Sequence, residues 1–422
     1  MTASSFPAPT FPTPPRPTAE ATFRVRPRVA AADVLPRVAP PTLNPAELWA
    51  RVHAEGTPLV DQASDGGVGD GGVVLTFVYR ERDDTSTTAA VVLDRSQRVE
   101  ASTCETSALE PLGDGVWALS LRVESQWRGA YALAASSTPA PQLDSPDAGR
   151  LAWWWAAAEH AAADPHAREQ LDAKRSVASA PAAPRSSINA SHPTQQPAVE
   201  PATPLADHPG FSVLIPSTPA PAAGWPVVLL LDGDRWLDLG IGAITAELAS
   251  AGTPFLTLLH QPTDRVTEYT CSQDWVSRAA AAISAVGRLW PVTGGAIVAG
   301  QSLGGLAAVH AQCAAPDVFA ASISQSGSFW WSSHDPEADG ARWLTRTIAE
   351  HQPHLRSVWL EAGLREHDQA EQSGELAAAL AALPTPPRLH WARFDGGHDW
   401  ACWRAGLAEA LAWALDESGV TQ

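Results

Sequence analysis

The sequence predicts an α/β chain, in which a parallel sheet covered by helices on both faces follows a small β-sandwich. Three observations predict it. From Gly210 onward, apolar β-branched runs alternate with helical runs, the pattern of a parallel sheet with crossover helices. Earlier, four short strand-like runs follow one another with turn residues between them, as in a small sandwich. Finally, the turn Gly300-Gln301-Ser302-Leu303-Gly304 stands between an apolar strand, Ala296–Ala299, and a helix start, Gly305–Ala311. A strand, a sharp Gly-x-Ser-x-Gly turn and a helix are the nucleophile elbow of an α/β-hydrolase.

Residues 1–42 are rich in Pro, Thr and Ala and are expected to form a disordered tail. A short helix is expected from Pro45, with Asn44 as its N-cap and the proline at its first position. A β-sandwich is expected within residues 43–140, from the runs Val73–Tyr79, Ala89–Leu93, Val116–Val123 and Gly129–Leu133. Residues 141–205 read as a helix carrying Trp153, Trp154 and Trp155, then a flexible Ala/Pro/Ser/Thr linker over 175–204. The α/β-hydrolase domain occupies 206–419. Its expected strands are Phe211–Pro216, Val227–Gly233, Phe255–Leu259, Ala296–Ala299, Ala320–Ser324, Ser357–Glu361 and Arg388–Phe394. Helices are expected over Ala243–Ala249, over Trp275–Leu289 and after the elbow.

A length of 422 residues accommodates two domains, and 45% hydrophobic residues suffice for a sizeable core. The net charge of −18 argues against nucleic acid or an anionic membrane as partner. Four cysteines show neither metal-ligand spacing nor a CxxC pair, so reduced thiols are expected. No apolar run reaches transmembrane length, and the first 45 residues hold no continuous apolar h-region. The expected location is the cytoplasm. No resident metal or cofactor is expected, and the chain leaves its oligomeric state open.

An aliphatic hydroxyl attacks an ester at neutral pH only when an imidazole takes its proton and a third group orients that imidazole. Ser302 is the expected nucleophile. His398, after the last strand and preceded by Gly396-Gly397, is the expected base. For the acid, the segment past Leu360 offers three carboxylates. Glu366 fits best, beyond the glycine turn, whereas Glu361 falls within the strand and Asp368 starts the next helix. Asp395 lies too near His398 in sequence to orient it easily, and a dyad without a strong acid stays open. The oxyanion needs two backbone N–H donors, expected from Leu303 and Asp234.

These residues, in this order, resemble the enterochelin esterase family within the esterase D-like α/β-hydrolases. The matching segments are Leu230-Leu231-Asp232-Gly233 with Trp236, Arg265 to Trp275, Ala299 to Leu306, Ser324 to Trp331, Leu360 to Glu366, and Asp395 to Asp399 followed by Cys402-Trp403-Arg404. The N-terminal half is similar more weakly, through Thr76–Arg80 and Trp127–Tyr131. The resemblance implies hydrolysis of the trilactone backbone of a ferric catecholate siderophore such as enterobactin, with iron entering only as part of the substrate. A trianionic aromatic ligand calls for arginines and flat rings. Arg235, Arg265, Arg365, Arg404, Trp236, Trp330 and Trp331 are therefore expected to bind it, with Arg128 reaching across from the β-domain. The competing readings are a general carboxylesterase, feruloyl esterase or acyl transferase of the same superfamily, and a siderophore-binding protein with an inactive hydrolase fold.

Overall fold

The computed structural model describes residues 11–12, 35–62, 72–81, 88–93, 108–136, 159–184, 202–331, 342–366 and 368–416. Its first half contains strands β1 (Arg37–Val38), β2 (Leu59–Gln62), β3 (Val73–Arg80), β4 (Thr88–Leu93), β5 (Glu110–Gly113), β6 (Val116–Val123), β7 (Arg128–Ser136) and β8 (Ser176–Ser179), with helix α1 (Pro45–Glu55) between β1 and β2. One antiparallel sheet runs β1-β6-β3-β2, with β5 added on β6, and a second runs β4-β7-β8. Leu75, Phe77, Leu119 and Leu121 of the first sheet pack against Val91, Tyr131 and Ala178 of the second, so the two sheets close a sandwich. Helix α1 starts as its sequence dictates. Asn44 and Glu47 form a reciprocal capping box, and Pro45 takes the first helical position.

Two boundaries differ from expectation. Within the expected tail, Leu35 is fully buried and β1 pairs with β6, while Phe11 packs into the core of the second domain. Within the expected linker, β8 adds to β7, and ahead of it Asp164 accepts hydrogen bonds from the hydroxyls of Thr57 and Tyr131. Ser-Val-Ala-Ser carries almost no hydrophobic signal, because only the small side chains of Val177 and Ala178 reach the cores on its two faces. Trp153, Trp154 and Trp155, and the linker residues 185–201, lie outside the described residues.

The second half is an eight-stranded sheet: β9 (Thr203–Pro204), β10 (Phe211–Leu214), β11 (Val227–Leu231), β12 (Leu256–His260), β13 (Ala296–Gln301), β14 (Phe319–Gln325), β15 (Ser357–Gly363) and β16 (Arg388–Phe394). The order is β16-β15-β14-β13-β11-β12-β10-β9. The strands from β11 to β16 are mutually parallel, whereas β10 and β9 add antiparallel at one edge. The helices are α2 (Gly233–Asp238), α3 (Ile241–Ser250), α4 (Arg265–Tyr269), α5 (Gln273–Leu289), α6 (Leu303–Ala314), α7 (Trp343–His351), α8 (Asp368–Ala381) and α9 (Trp400–Asp416). The all-apolar run of β11 explains the two-sided cover. Val227, Leu229 and Leu231 face the layer of α5, α6, α7 and α8, while Val228 and Leu230 face α3 and α9. Ala130, Leu171 and Val177 of the sandwich join that second layer, so one apolar cluster spans both domains.

Candidate active site

The site lies at the C-terminal ends of the parallel strands, where open α/β sheets form their ligand crevices. Strand β13 delivers Gln301 and helix α6 begins at Leu303, leaving Ser302 in the turn at φ 58° and ψ −121°. Strand and helix can cross this closely because of the glycines. A Cβ on Gly300 would stand 2.4 Å from the carbonyl carbon and oxygen of Gly304. The carbonyl of Ser302 accepts from the amides of Leu306 and Ser328, which fixes the elbow from both sides.

The hydroxyl of Ser302 lies 2.9 Å from Nε2 of His398, and Nδ1 of His398 lies 2.9 Å from Oε2 of Glu366. Glu366 is buried in a single helical turn, Leu364–Glu366, just past the end of β15. Its Oε1 also accepts from the Ser326 hydroxyl at 2.5 Å and the Gly363 amide at 2.8 Å. The other carboxylates are placed elsewhere. Glu361 faces Gln325 and Trp359, which donate to its two oxygens, and burial pushes its carboxyl up to about 7. Asp368 is exposed on α8, and Asp395 stands 3.8 Å from Arg365. Of these carboxylates, Glu366 is the one placed within hydrogen-bond distance of His398.

For the oxyanion, the Leu303 amide stands at the first position of α6, where helical N–H groups have no partner within their own helix. The Asp234 amide sits in α2 and donates to Oε1 of Gln261 at 3.3 Å. The segment around Asp234 is thus helical, entered through Asp232 in a left-handed conformation.

An open cleft of about 570 Å³ adjoins Ser302 and His398. Of the eight side chains expected to bind substrate, Arg235 and Arg265 line it. Arg235 reaches Asp172 at 2.6 Å and lies over the ring of Trp400. Arg265 is held by Asp232 through two hydrogen bonds of 2.8 Å, and it also donates to the Gln301 carbonyl. The remaining six do not line it. Trp236 is fully buried, its indole N–H given to Gln301, because helix α2 turns it inward. Trp331 is buried beside Trp343. Arg128 and Arg404 are buried together on Glu169, so their charges serve the domain boundary and not the cleft. Trp330 is partly buried against the core, and Arg365 lies beside Asp395; neither lines the cleft.

Sequence reasoning missed Arg175, Trp400 and Trp403, all of which line the cleft. The two tryptophans had a signal. They follow His398 at positions three apart on α9, so they share a helix face. Arg175 had none, since it falls in the expected linker. The cleft wall carries three arginines (Arg175, Arg235, Arg265) and three aspartates (Asp232, Asp234, Asp238), a balance that suits a ligand with both anionic and donor groups. Among the described residues, no group of three or more His, Cys, Asp or Glu is placed to hold a metal, and no helix is long and apolar enough to cross a membrane.

An esterase family model matches residues 203–414, and the model for the N-terminal part of enterochelin esterase matches residues 74–188. The iron(III) enterobactin esterase of Dickeya dadantii is 30% identical over 420 residues, covering 87% of this chain and 92% of that protein. Among solved structures, the ferric enterobactin esterase of Salmonella typhimurium superposes with a TM-score of 0.71 at 24% identity, over 89% of this chain and 100% of its own. The enterobactin esterase of Shigella flexneri, solved with 2,3-dihydroxy-N-benzoyl-serine, gives 0.70 at 23% identity, over 88% and 98%. These superpositions show a shared fold over 88–89% of this chain.

Proposed function

This chain belongs to the iron(III) enterobactin esterase family, and we propose that it opens the trilactone backbone of a catecholate siderophore by a serine mechanism. It is a carboxylic ester hydrolase acting on siderophore esters. The observation that carries the mechanism is the unbroken hydrogen-bonded line from Ser302 through His398 to Glu366 at the wall of the cleft.

In this reading the Ser302 hydroxyl attacks a lactone carbonyl while Nε2 of His398 takes its proton. Glu366 holds Nδ1–H, which fixes the tautomer and leaves Nε2 as the acceptor. The amides of Leu303 and Asp234 receive the negative charge that develops on the carbonyl oxygen, and the Asp234 amide exchanges its long contact with Gln261 for it. The C–O bond then breaks, and the departing alkoxide of the siderophore backbone takes the proton back from His398. Water, activated by the same imidazole, releases the acid and regenerates Ser302.

Arg175, Arg235 and Arg265, with the faces of Trp400 and Trp403, support binding of an anionic aromatic ligand. Iron enters only with the substrate, and the reaction needs no cofactor of its own. The buried cysteines Cys271, Cys313 and Cys402, none of them in a disulfide, suit a reducing cytoplasm.

The test is chromatography of the products after wild-type protein and Ser302→Ala meet ferric and iron-free enterobactin. Linear trimer, dimer and monomer from the wild type, with turnover by the variant reduced at least about a thousandfold, is the expected outcome. Hydrolysis of a simple aryl ester without any cleavage of enterobactin would sink the substrate, and an active Ser302→Ala would sink the mechanism.

A further inference from the structure

We propose that Ser326 is a positioning residue of the reaction, acting through Glu366. Ser326 follows β14, with φ at 52°, a left-handed conformation that side chains other than glycine rarely take. Its backbone is pinned there, the amide given to the Glu361 carbonyl at 2.7 Å and its own carbonyl accepting from Gln369. The next residue is Gly327, so the chain places glycine in this very turn and yet keeps a hydroxyl at the strained position.

The direction of the hydrogen bonds shows what that hydroxyl does. Nε1 of Trp403 lies 2.8 Å from Ser326 Oγ, and an indole nitrogen can only donate. Ser326 Oγ lies 2.5 Å from Oε1 of Glu366, so its own proton points at the carboxylate. The Gly363 amide donates to the same oxygen, while Oε2 is left for His398. Trp403 also sets its ring edge-on to the imidazole, with centroids 4.8 Å apart. A single directed chain therefore runs Trp403 N–H, Ser326 O–H, Glu366 carboxylate, His398 N–H. Ser326 locks the carboxylate's rotation about its last bond, so that Oε2 stays aimed at Nδ1. It touches no reacting atom.

The inference rests on the serine mechanism proposed above, and its test keeps the two apart. Ser326→Gly is the primary variant, because glycine accepts φ 52° without strain and only the hydroxyl is lost. It is made alone and in a Glu366→Ala background, with Ser302→Ala as control. Alone, it is expected to lower kcat about 10- to 100-fold, the range for losing a hydrogen bond to a charged group. KM should change far less than kcat, since every cleft side chain is kept and only the anchor of the Trp403 indole is lost. In the Glu366→Ala background the same change should cost less than about twofold, because the group it positions is already gone. The downfield proton resonance of His398 Nδ1–H should also shift in Ser326→Gly.

Equal kcat losses in both backgrounds would show that Ser326 acts independently of Glu366 and would overturn the inference. So would an unchanged kcat in Ser326→Gly. In either case an inactive Ser302→Ala would leave the serine mechanism standing. An active Ser302→Ala would instead remove the mechanism and this inference with it.

Discussion

Replacing His310 by leucine should abolish a defined part of the acid sensitivity of the fold. His310 lies on α6, eight residues after Ser302, and is fully buried among Phe11 and Trp343, with ring centroids at 6.0 and 6.2 Å. Neither ring nitrogen has a hydrogen-bond partner among the described residues. Burial without a partner disfavours the imidazolium and pushes the group from 6.5 down to about 3. The folded value lies below the unfolded one, so the stabilisation is whole above pH 6.5 and is lost as pH falls towards the folded value. Between these limits the unfolded chain holds a proton that the native state refuses, which costs about 1.4 kcal/mol per pH unit. At about pH 5 this amounts to roughly 2 kcal/mol, against almost nothing at about pH 7.5. Urea denaturation of wild type and His310→Leu at both pH values measures it. Every other titrating group is shared, so the wild type should lose about 2 kcal/mol more than the variant on acidification. Parallel losses, within about 0.5 kcal/mol, would refute a neutral buried His310. The variant should also be about 1–2 kcal/mol more stable near neutrality, since two unpaired buried nitrogens are removed.

Other outcomes follow from the same contacts. Gly300→Ala drives a Cβ into the Gly304 carbonyl; unfolding curves should lose about 3 kcal/mol, and kcat/KM should fall at least about 100-fold as the elbow shifts. Glu366→Gln turns an N–H towards His398 Nδ1 and favours the wrong tautomer, so steady-state assays should find kcat down about 10³- to 10⁴-fold with KM little changed. Glu169→Gln leaves Arg128 and Arg404 buried around a neutral amide; urea titration should register a loss of about 3–5 kcal/mol.

The parts of this molecule legible in its sequence are those that one local segment determines. The short β-rich run Val227–Leu231 reads as a strand buried on both faces, and Gly300 before Ser302 permits a close crossing that no other residue fits. His398 is legible through its order in the chain. Glu366 was one of three carboxylates within eight residues, and the choice depended on register. Gln301, Gln325 and Glu361 sit side by side across β13, β14 and β15, which ties Glu361 into a ladder of side-chain amides and leaves Glu366 past the strand end. The arginines were misread because a sequence displays charges without their partners. Arg128 and Arg404 meet on Glu169, which is 41 and 235 positions away. Trp236 was misread for a conformational reason, since one turn of helix at Gly233 rotates the indole from the cleft into the core.

The partnership of the two domains is a matter of holding the base. His398 sits on a loop with two glycines behind it, the composition that loses most conformational entropy when it is ordered. That loop runs against β7 of the sandwich. The Arg128 amide donates to the Asp395 carbonyl at 3.1 Å, the Ala130 amide to the Asp399 carboxylate at 2.5 Å, and the Cys402 thiol to the Arg128 carbonyl at 3.3 Å. Nε of Arg128 adds a bond to the Ala401 carbonyl at 3.0 Å. Gly396 is needed for this approach, because a Cβ there would meet Cys402 Sγ at 2.5 Å and the Arg128 carbonyl at 3.0 Å. The residues on both sides of His398 are therefore clamped by a domain that supplies none of the three hydrogen-bonded site residues. A displacement of about 1 Å at a reacting group can cost about 100-fold in rate, so an imidazole on an unbraced glycine loop would lose its alignment with Ser302. The buried arginine that the sequence presents as a ligand for the substrate is part of that brace.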